Sequence, residues 1–173
     1  DWRCLVLDIG TLGSPSEKMV ITNAVLTHLW QERNRRQPTL VVIDEAHNVC
    51  PQNPADELQS ISTETVARIA AEGRKFGLYL LLSTQQPGKI QANALSQCAN
   101  LILMRTNSSP DLSQLASIFS QVPASLLEEA TKFNLGETVI GGRLVQNPTF
   151  AKFEGRLSVA GGDDVPKTWA TPR

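Results

Sequence analysis

Two adjacent carboxylates, Asp44 and Glu45, follow directly on the apolar run Leu40–Ile43 in the stretch TLVVIDEAHNVCP. A buried strand has no structural use for a pair of acids at its tip. One reading makes Asp44 the cap of the next helix and leaves Glu45 as a solvated charge. The other is hydrolytic: one acid holds a divalent cation through water and its neighbour orients the attacking water. The four apolar residues before the pair favour the second reading. A second apolar run, Leu78–Leu82, also ends in polar groups, Ser83, Thr84, Gln85 and Gln86, before Pro87. A neutral amide there could sense a phosphate or hold the same water. Strand ends commonly carry Ser and Thr, so this motif alone is weak.

Cations lie in TVARIAAEGRKFG. At about 100° per residue, Arg68, Glu72 and Lys75 share a solvent-facing side, and Arg68–Glu72 has the spacing of an i,i+4 ion pair. Arg74 lies apart from them, with no acid three or four residues away. It is the better placed of the two arginines to offer its charge to a phosphate, and an exposed arginine with no role fits its spacing equally well. The densest basic cluster is ERNRRQ, with Arg33, Arg35 and Arg36. It closes a helix, where cations suit the C-terminal dipole.

The elements that position these groups alternate. Cys4–Ile9 (CLVLDI) reads as a strand buried on both faces. Ser14 and Glu17 form a capping box around Pro15, and a helix follows to about Arg35 with Ile21, Ala24, Val25 and Leu29 on one face. LVVID is the second strand. PQNPADELQSIST, with two prolines, reads as a mobile loop. A helix then covers Glu64–Phe76, with Val66, Ile69, Ala70 and Gly73 inward, and Gly77 ends it in a left-handed cap. Leu78–Thr84 is the third strand, QANALSQCA a short helix, and Leu101–Thr106 the fourth strand. Helices over Pro110–Phe119 and Ala124–Phe133 precede a closing hairpin or meander in GETVIGGRLV and TFAKFEGRL. From Ala160 the chain is a polar, Gly- and Pro-rich tail. This alternation predicts an α/β fold with a mainly parallel sheet and flanking helices.

Composition sets outer limits. The 173 residues suffice for one domain with a real core. An apolar fraction of 41% and a charged fraction of 19% are ordinary for a globular protein. A net charge of −1 supplies no general field for nucleic acid. Cys4, Cys50 and Cys98 are odd in number and widely spaced, which argues against a zinc site or a disulfide framework and fits a reducing cytoplasm. No apolar run reaches membrane-span length and no signal-peptide pattern opens the sequence. The abrupt start, DWRCLVLDIG, reads like the middle of a domain.

Taken together, VVIDEAHNVCP, ARIAAEGRKFGLYLLLSTQQP and ALSQCANLILMRTNSSPDL resemble the HerA branch of the HerA/FtsK ATPases, from about Cys4 to Arg156. LGETVIGGRLVQNPTFAKFEGR resembles that family's closing strands. The resemblance implies a RecA-like P-loop NTPase core, hexameric in the parent protein, that moves double-stranded DNA with ATP and Mg2+ and can work with a nuclease or other effector. Residues 1–157 then form the C-terminal part of the ATPase domain, from Walker B onward, and residues 158–173 a flexible tail. Asp44 is implied as the Walker B acid and magnesium ligand, through water, and Glu45 as the catalytic glutamate. Gln85 corresponds to the polar sensor, beside Thr84 at the nucleotide. Arg74, or second Arg68, would complete a nucleotide site, including a neighbour's. Gln86 stands where the family often has Arg.

The family's phosphate loop, G-x-x-x-x-G-K-S/T, does not occur in these residues; the one Gly-Lys pair, Gly88–Lys89, is followed by Ile90. In related folds the strand bearing it lies between the third and fourth strands read above. The expectation is a gap in the sheet there, or a different packing of this half, and no ATP hydrolysis by these residues alone. Two other readings stay open. Asp44–His47 spells DEAH, as in DEAH-box helicases, where His47 would couple hydrolysis to strand separation. The segment could also be an assembly module that never hydrolyses nucleotide.

Overall fold

The computed structural model describes residues 4–155 and 157. The tail expected over 158–173 lies outside the described residues. Five strands form two separate sheets. Strands β1 (Thr39–Ile43) and β2 (Leu78–Leu82) pair in parallel, with Thr39 opposite Leu78 and Ile43 opposite Leu82. Strands β3 (Asn100–Leu103), β4 (Glu137–Gly142) and β5 (Thr149–Lys152) form an antiparallel meander. Among the described residues β2 and β3 do not pair, so the sheet is interrupted where the sequence predicts a gap.

Helix α1 (Pro15–Gln31) begins with the expected capping box: the Glu17 amide donates to Ser14 Oγ (3.1 Å) and the Ser14 amide to Glu17 Oε2 (3.3 Å). Its inward face differs from the one expected. Met19 and Leu26 are buried, whereas Ile21 and Ala24 are exposed. The neighbouring helix α2 (Glu57–Glu72) sets that rotation, since Asn23 Nδ2 donates to the Leu58 carbonyl at 2.9 Å. Helix α2 starts seven residues before the predicted Glu64. Asp56 caps it by accepting from the Gln59 amide (2.8 Å), and Gln59 Oε1 accepts from the Ala55 amide (2.8 Å). This reciprocal cap is strong enough to start a helix in a stretch that its prolines disguise as loop. Gly77 ends the following turn with φ 81°, as expected.

Cys4–Ile9 is not a strand. Leu5, Val6 and Leu7 are exposed and no neighbouring strand meets them, so the run lacks the ladder that would make it one. The third and fourth strands are shorter than predicted: β2 ends at Leu82 and β3 at Leu103.

The core runs from α2 through the short helix α3 (Ala92–Ser96) to the helices that follow β3. Val66, Ile69, Leu78, Ile90 and Ala94 join Leu115 and Phe119 of α4 (Ser109–Ile118) and its end, Leu127 of α5 (Ala124–Glu128), and Val139 of β4. One face of the parallel pair is left out of it: Leu40, Val42, Tyr79 and Leu81 are 44–60% exposed. No helix among the described residues is long and apolar enough to cross a membrane.

Candidate active site

Parallel pairing places both polar strand ends side by side, at the carboxyl edge where α/β sheets hold their ligands. Because Ile43 faces Leu82, the next residues, Asp44 and Ser83, are neighbours. The Ser83 amide donates to the Ile43 carbonyl (2.9 Å) and the Ala46 amide to the Ser83 carbonyl (2.8 Å), which extends the ladder past the last strand residue. Ser83 Oγ donates to Asp44 Oδ1 (2.9 Å), and the Glu45 amide donates to the same oxygen (3.0 Å).

The chain then turns sharply. Glu45 has φ 46° and ψ 47°, a left-handed backbone that a non-glycine residue adopts only where its surroundings hold it there. The turn sends the Glu45 side chain back over β2, where Gln85 Nε2 donates to Oε1 at 3.2 Å. His47, in the short 3-10 turn Ala46–Asn48, reaches the same place. Its Nδ1 lies 2.9 Å from Thr84 Oγ1 and 3.3 Å from Glu45 Oε2. Thr84 Oγ1 also accepts from the Gln86 amide (3.0 Å). Four of the residues predicted for the site, Asp44, Glu45, Thr84 and Gln85, therefore converge. Neither acid acts as a side-chain helix cap.

A second tie lies behind the acids. Pro51 and Ile90 form an isolated bridge, the Gln91 amide donates to the Cys50 carbonyl (2.9 Å) and the Gln52 amide to the Lys89 carbonyl (2.7 Å). These bonds tie together the two loops that carry the site. Burial first, and the nearby Cys98 second, push the Cys50 thiol up to about 12. Burial also raises Cys98. Both act as small apolar residues.

The arginines are not at this edge. Arg74 stands in the turn Gly73–Phe76 before β2, exposed and without an ion pair among the described residues. At about 3.3 Å per strand residue, that is roughly 15 Å from the acids, at the opposite end of the pair. Arg68 does not pair with Glu72; its guanidinium lies 5.9 Å from the Trp30 ring centre. Arg33 stacks at 4.5 Å on Trp30 and 5.3 Å on Phe76, and Arg35 pairs with Glu32. The face of Trp30 is a better partner for a cation than a solvated glutamate on the same helix.

Two contributors escaped the sequence reading. Ser83 was one polar strand-end residue among several, and its bond to Asp44 depends on strand register. His47 entered only through the DEAH reading, and its contact with Thr84 depends on the left-handed Glu45. A recess of about 640 Å3, lined by Cys98, Gln121, Arg143 and Pro148 among others, contains none of these groups. At the candidate site Asp44, Ser83 and Gln85 are exposed.

Asp44 fits a magnesium site of the kind that uses few protein ligands. It is exposed, its Oδ1 is fixed by two donors, and no cluster of three or more His, Cys, Asp or Glu surrounds it among the described residues. Magnesium bound by one carboxylate, waters and phosphate oxygens needs no more.

The fold defines the class. The chain has the fold of P-loop NTPases of the HerA/FtsK superfamily. It superposes on the genome packaging NTPase B204 from Sulfolobus turreted icosahedral virus 2, solved with ATPγS, with a TM-score of 0.56 and 20% identity over 85% of this chain and 65% of that one. VirB4 of Thermoanaerobacter pseudethanolicus gives 0.61 and 16% over 85% of this chain and 39% of that one. Within that class its curated sequence homologues are HerA-type helicases. The DNA double-strand break repair helicase HerA of Sulfurisphaera tokodaii is 29% identical over 169 residues, 91% of this chain and 33% of that protein. A probable helicase of Methanocaldococcus jannaschii is 32% identical over 136 residues, 77% of this chain and 25% of that protein. The chain thus spans a quarter to a third of the length of these relatives. No family model matches it.

Proposed function

We propose that this chain carries the hydrolytic edge of an ATP-driven translocase of double-stranded DNA. The observation that carries this reading is the convergence of Asp44, Glu45, Thr84 and Gln85 at the carboxyl ends of two parallel strands. Asp44, held by Ser83 and the Glu45 amide, presents its carboxylate to a magnesium ion through water. Bound with ATP, that ion would offset phosphate charge. Glu45 orients the attacking water, and its strained backbone aims the carboxylate toward β2. Gln85 fixes one oxygen of that carboxylate and keeps an amide face free for a γ-phosphate. Thr84 lines the nucleotide side of the strand end.

Arg74, and in second place Arg68, serve the site of a neighbouring copy in a hexamer. Arg74's exposure and lack of an ion pair among the described residues support this, as does its distance from the acids of its own chain. Double-stranded DNA, a nuclease or other effector, and a cytoplasmic location belong to the same reading. The names of the relatives support DNA as the partner. Because these 173 residues include no phosphate loop, they do not turn over ATP alone.

Magnesium-dependent ATP turnover tests the proposal, measured on this chain and on one extended through a phosphate-loop segment. Turnover by the extended chain only is the expected result. An inert extended chain that still folds would favour the assembly-module reading.

A further inference from the structure

We propose that His47 is a positioning residue for Glu45, carrying its ring proton on Nδ1, where it faces the second oxygen of the carboxylate at ion-pair distance; this rests on the hydrolytic reading of Glu45 above. Glu45 Oε2 is buried and has no hydrogen-bond partner among the described residues, although Oε1 has one in Gln85. A carboxylate oxygen left in that condition is costly, more so than a neutral group. The nitrogen beside it is His47 Nδ1, at 3.3 Å, on a side chain only 13% exposed.

The bonds around Thr84 decide where the ring proton sits. Thr84 Oγ1 accepts from the Gln86 amide and lies 2.9 Å from His47 Nδ1. If the ring carried its proton on Nε2, the Thr84 hydroxyl would donate to a bare Nδ1. The lone pair of that nitrogen would then face Glu45 Oε2, acceptor against acceptor. With the proton on Nδ1, the ring donates to the remaining lone pair of Thr84 Oγ1 and turns its positive N–H edge toward Glu45 Oε2, 3.3 Å away, so no like groups oppose each other.

The backbone supports this role. The Asn48 amide donates to the Glu45 carbonyl (2.9 Å) and the Val49 amide to the Ala46 carbonyl (3.0 Å), which fixes the turn bearing His47. Ala46 itself is fully buried. Glu45 is thereby flanked on two sides, by Gln85 at Oε1 and by His47 at Oε2.

Long-range nitrogen–proton NMR on the 173-residue chain labelled at histidine reads the ring proton directly. The exposed His28 serves as the internal reference. His47 is expected on Nδ1–H in the native chain and in Thr84→Val. In Glu45→Gln it moves toward Nε2–H, because a carboxamide can donate to a bare Nδ1. An Nε2–H ring in the native chain, or no response to Glu45→Gln, overturns the proposal.

A second comparison uses a chain that carries a phosphate loop. His47→Asn places an amide where Nδ1 stood, whereas His47→Gln reaches past it. The expected loss in kcat is about threefold for Asn and about thirtyfold for Gln, with KM unchanged in both. Equal losses contradict the positioning role. Failure of the underlying reading looks different: turnover would then survive Glu45→Gln, whichever nitrogen holds the proton.

Discussion

The two sheets of this molecule are built on opposite terms. In the meander, backbone and core are locked together. Val139 and Thr138 are fully buried, Gly142 has φ 102°, and a Cβ there would lie 2.1 Å from the Ala99 carbonyl oxygen. A Cβ on Gly141 would meet Val122 Cγ2 at 2.2 Å. In the parallel pair the strands are apolar on both faces, yet only one face is covered, and the polar residues collect at one end. The meander is organised for stability. The parallel pair collects the proposed catalytic residues at its strand ends, including a non-glycine residue in a left-handed backbone.

Substitutions should therefore separate by region. Gly142→Val has the largest expected effect, because it meets both a positive φ and a backbone oxygen. It should destabilise by roughly 3 kcal/mol or more in denaturant unfolding. Thr138→Val, also in the meander, removes the buried hydroxyl that donates to the Leu103 carbonyl at 2.8 Å. The expected loss is about 1 kcal/mol. Glu45→Gly should act in the other direction. It relieves the left-handed strain and should raise stability by about 1 kcal/mol, while abolishing turnover in a chain that carries a phosphate loop. A stability loss there would erase the contrast between the two sheets.

The smallest effect concerns the thiols. Cys50 and Cys98 lie near the junction of the two regions, and their raised pKa values keep them as thiols at pH 8, where the thiolate is the reactive form. Alkylation at pH 8 should modify the exposed Cys4 fast and the other two only on unfolding. Rapid labelling of all three would mean that the tie between Cys50 and Gln91 opens in the folded chain.

Much of the site was legible because parallel strands bring like ends together. Two apolar runs ending in Asp44-Glu45 and in Ser83-Thr84-Gln85 had to meet if the runs paired in register. The gap between β2 and β3 was legible for a related reason, since no strand in the sequence could bear a phosphate loop. The helix start at Glu57 was hidden by Pro51 and Pro54, although Asp56 and Gln59 had the cap spacing. Cys4–Ile9 has strand composition, but composition cannot supply a partner ladder. Ile21 and Ala24 show that a broad apolar stripe leaves helix rotation to the neighbour. The same limit applies to Arg68, whose choice of Trp30 over Glu72 depends on a second helix. The left-handed Glu45 had no signal at all, since such a position ordinarily asks for glycine or asparagine.

The central claim is that the acid pair performs chemistry rather than supporting the fold. Glu45→Gln in a chain carrying a phosphate loop tests it most directly, by ATP turnover beside nucleotide affinity and unfolding free energy. The account expects turnover to fall about a thousandfold, with affinity and stability nearly unchanged. Intact turnover, or a loss matched by equal loss of stability, would contradict it.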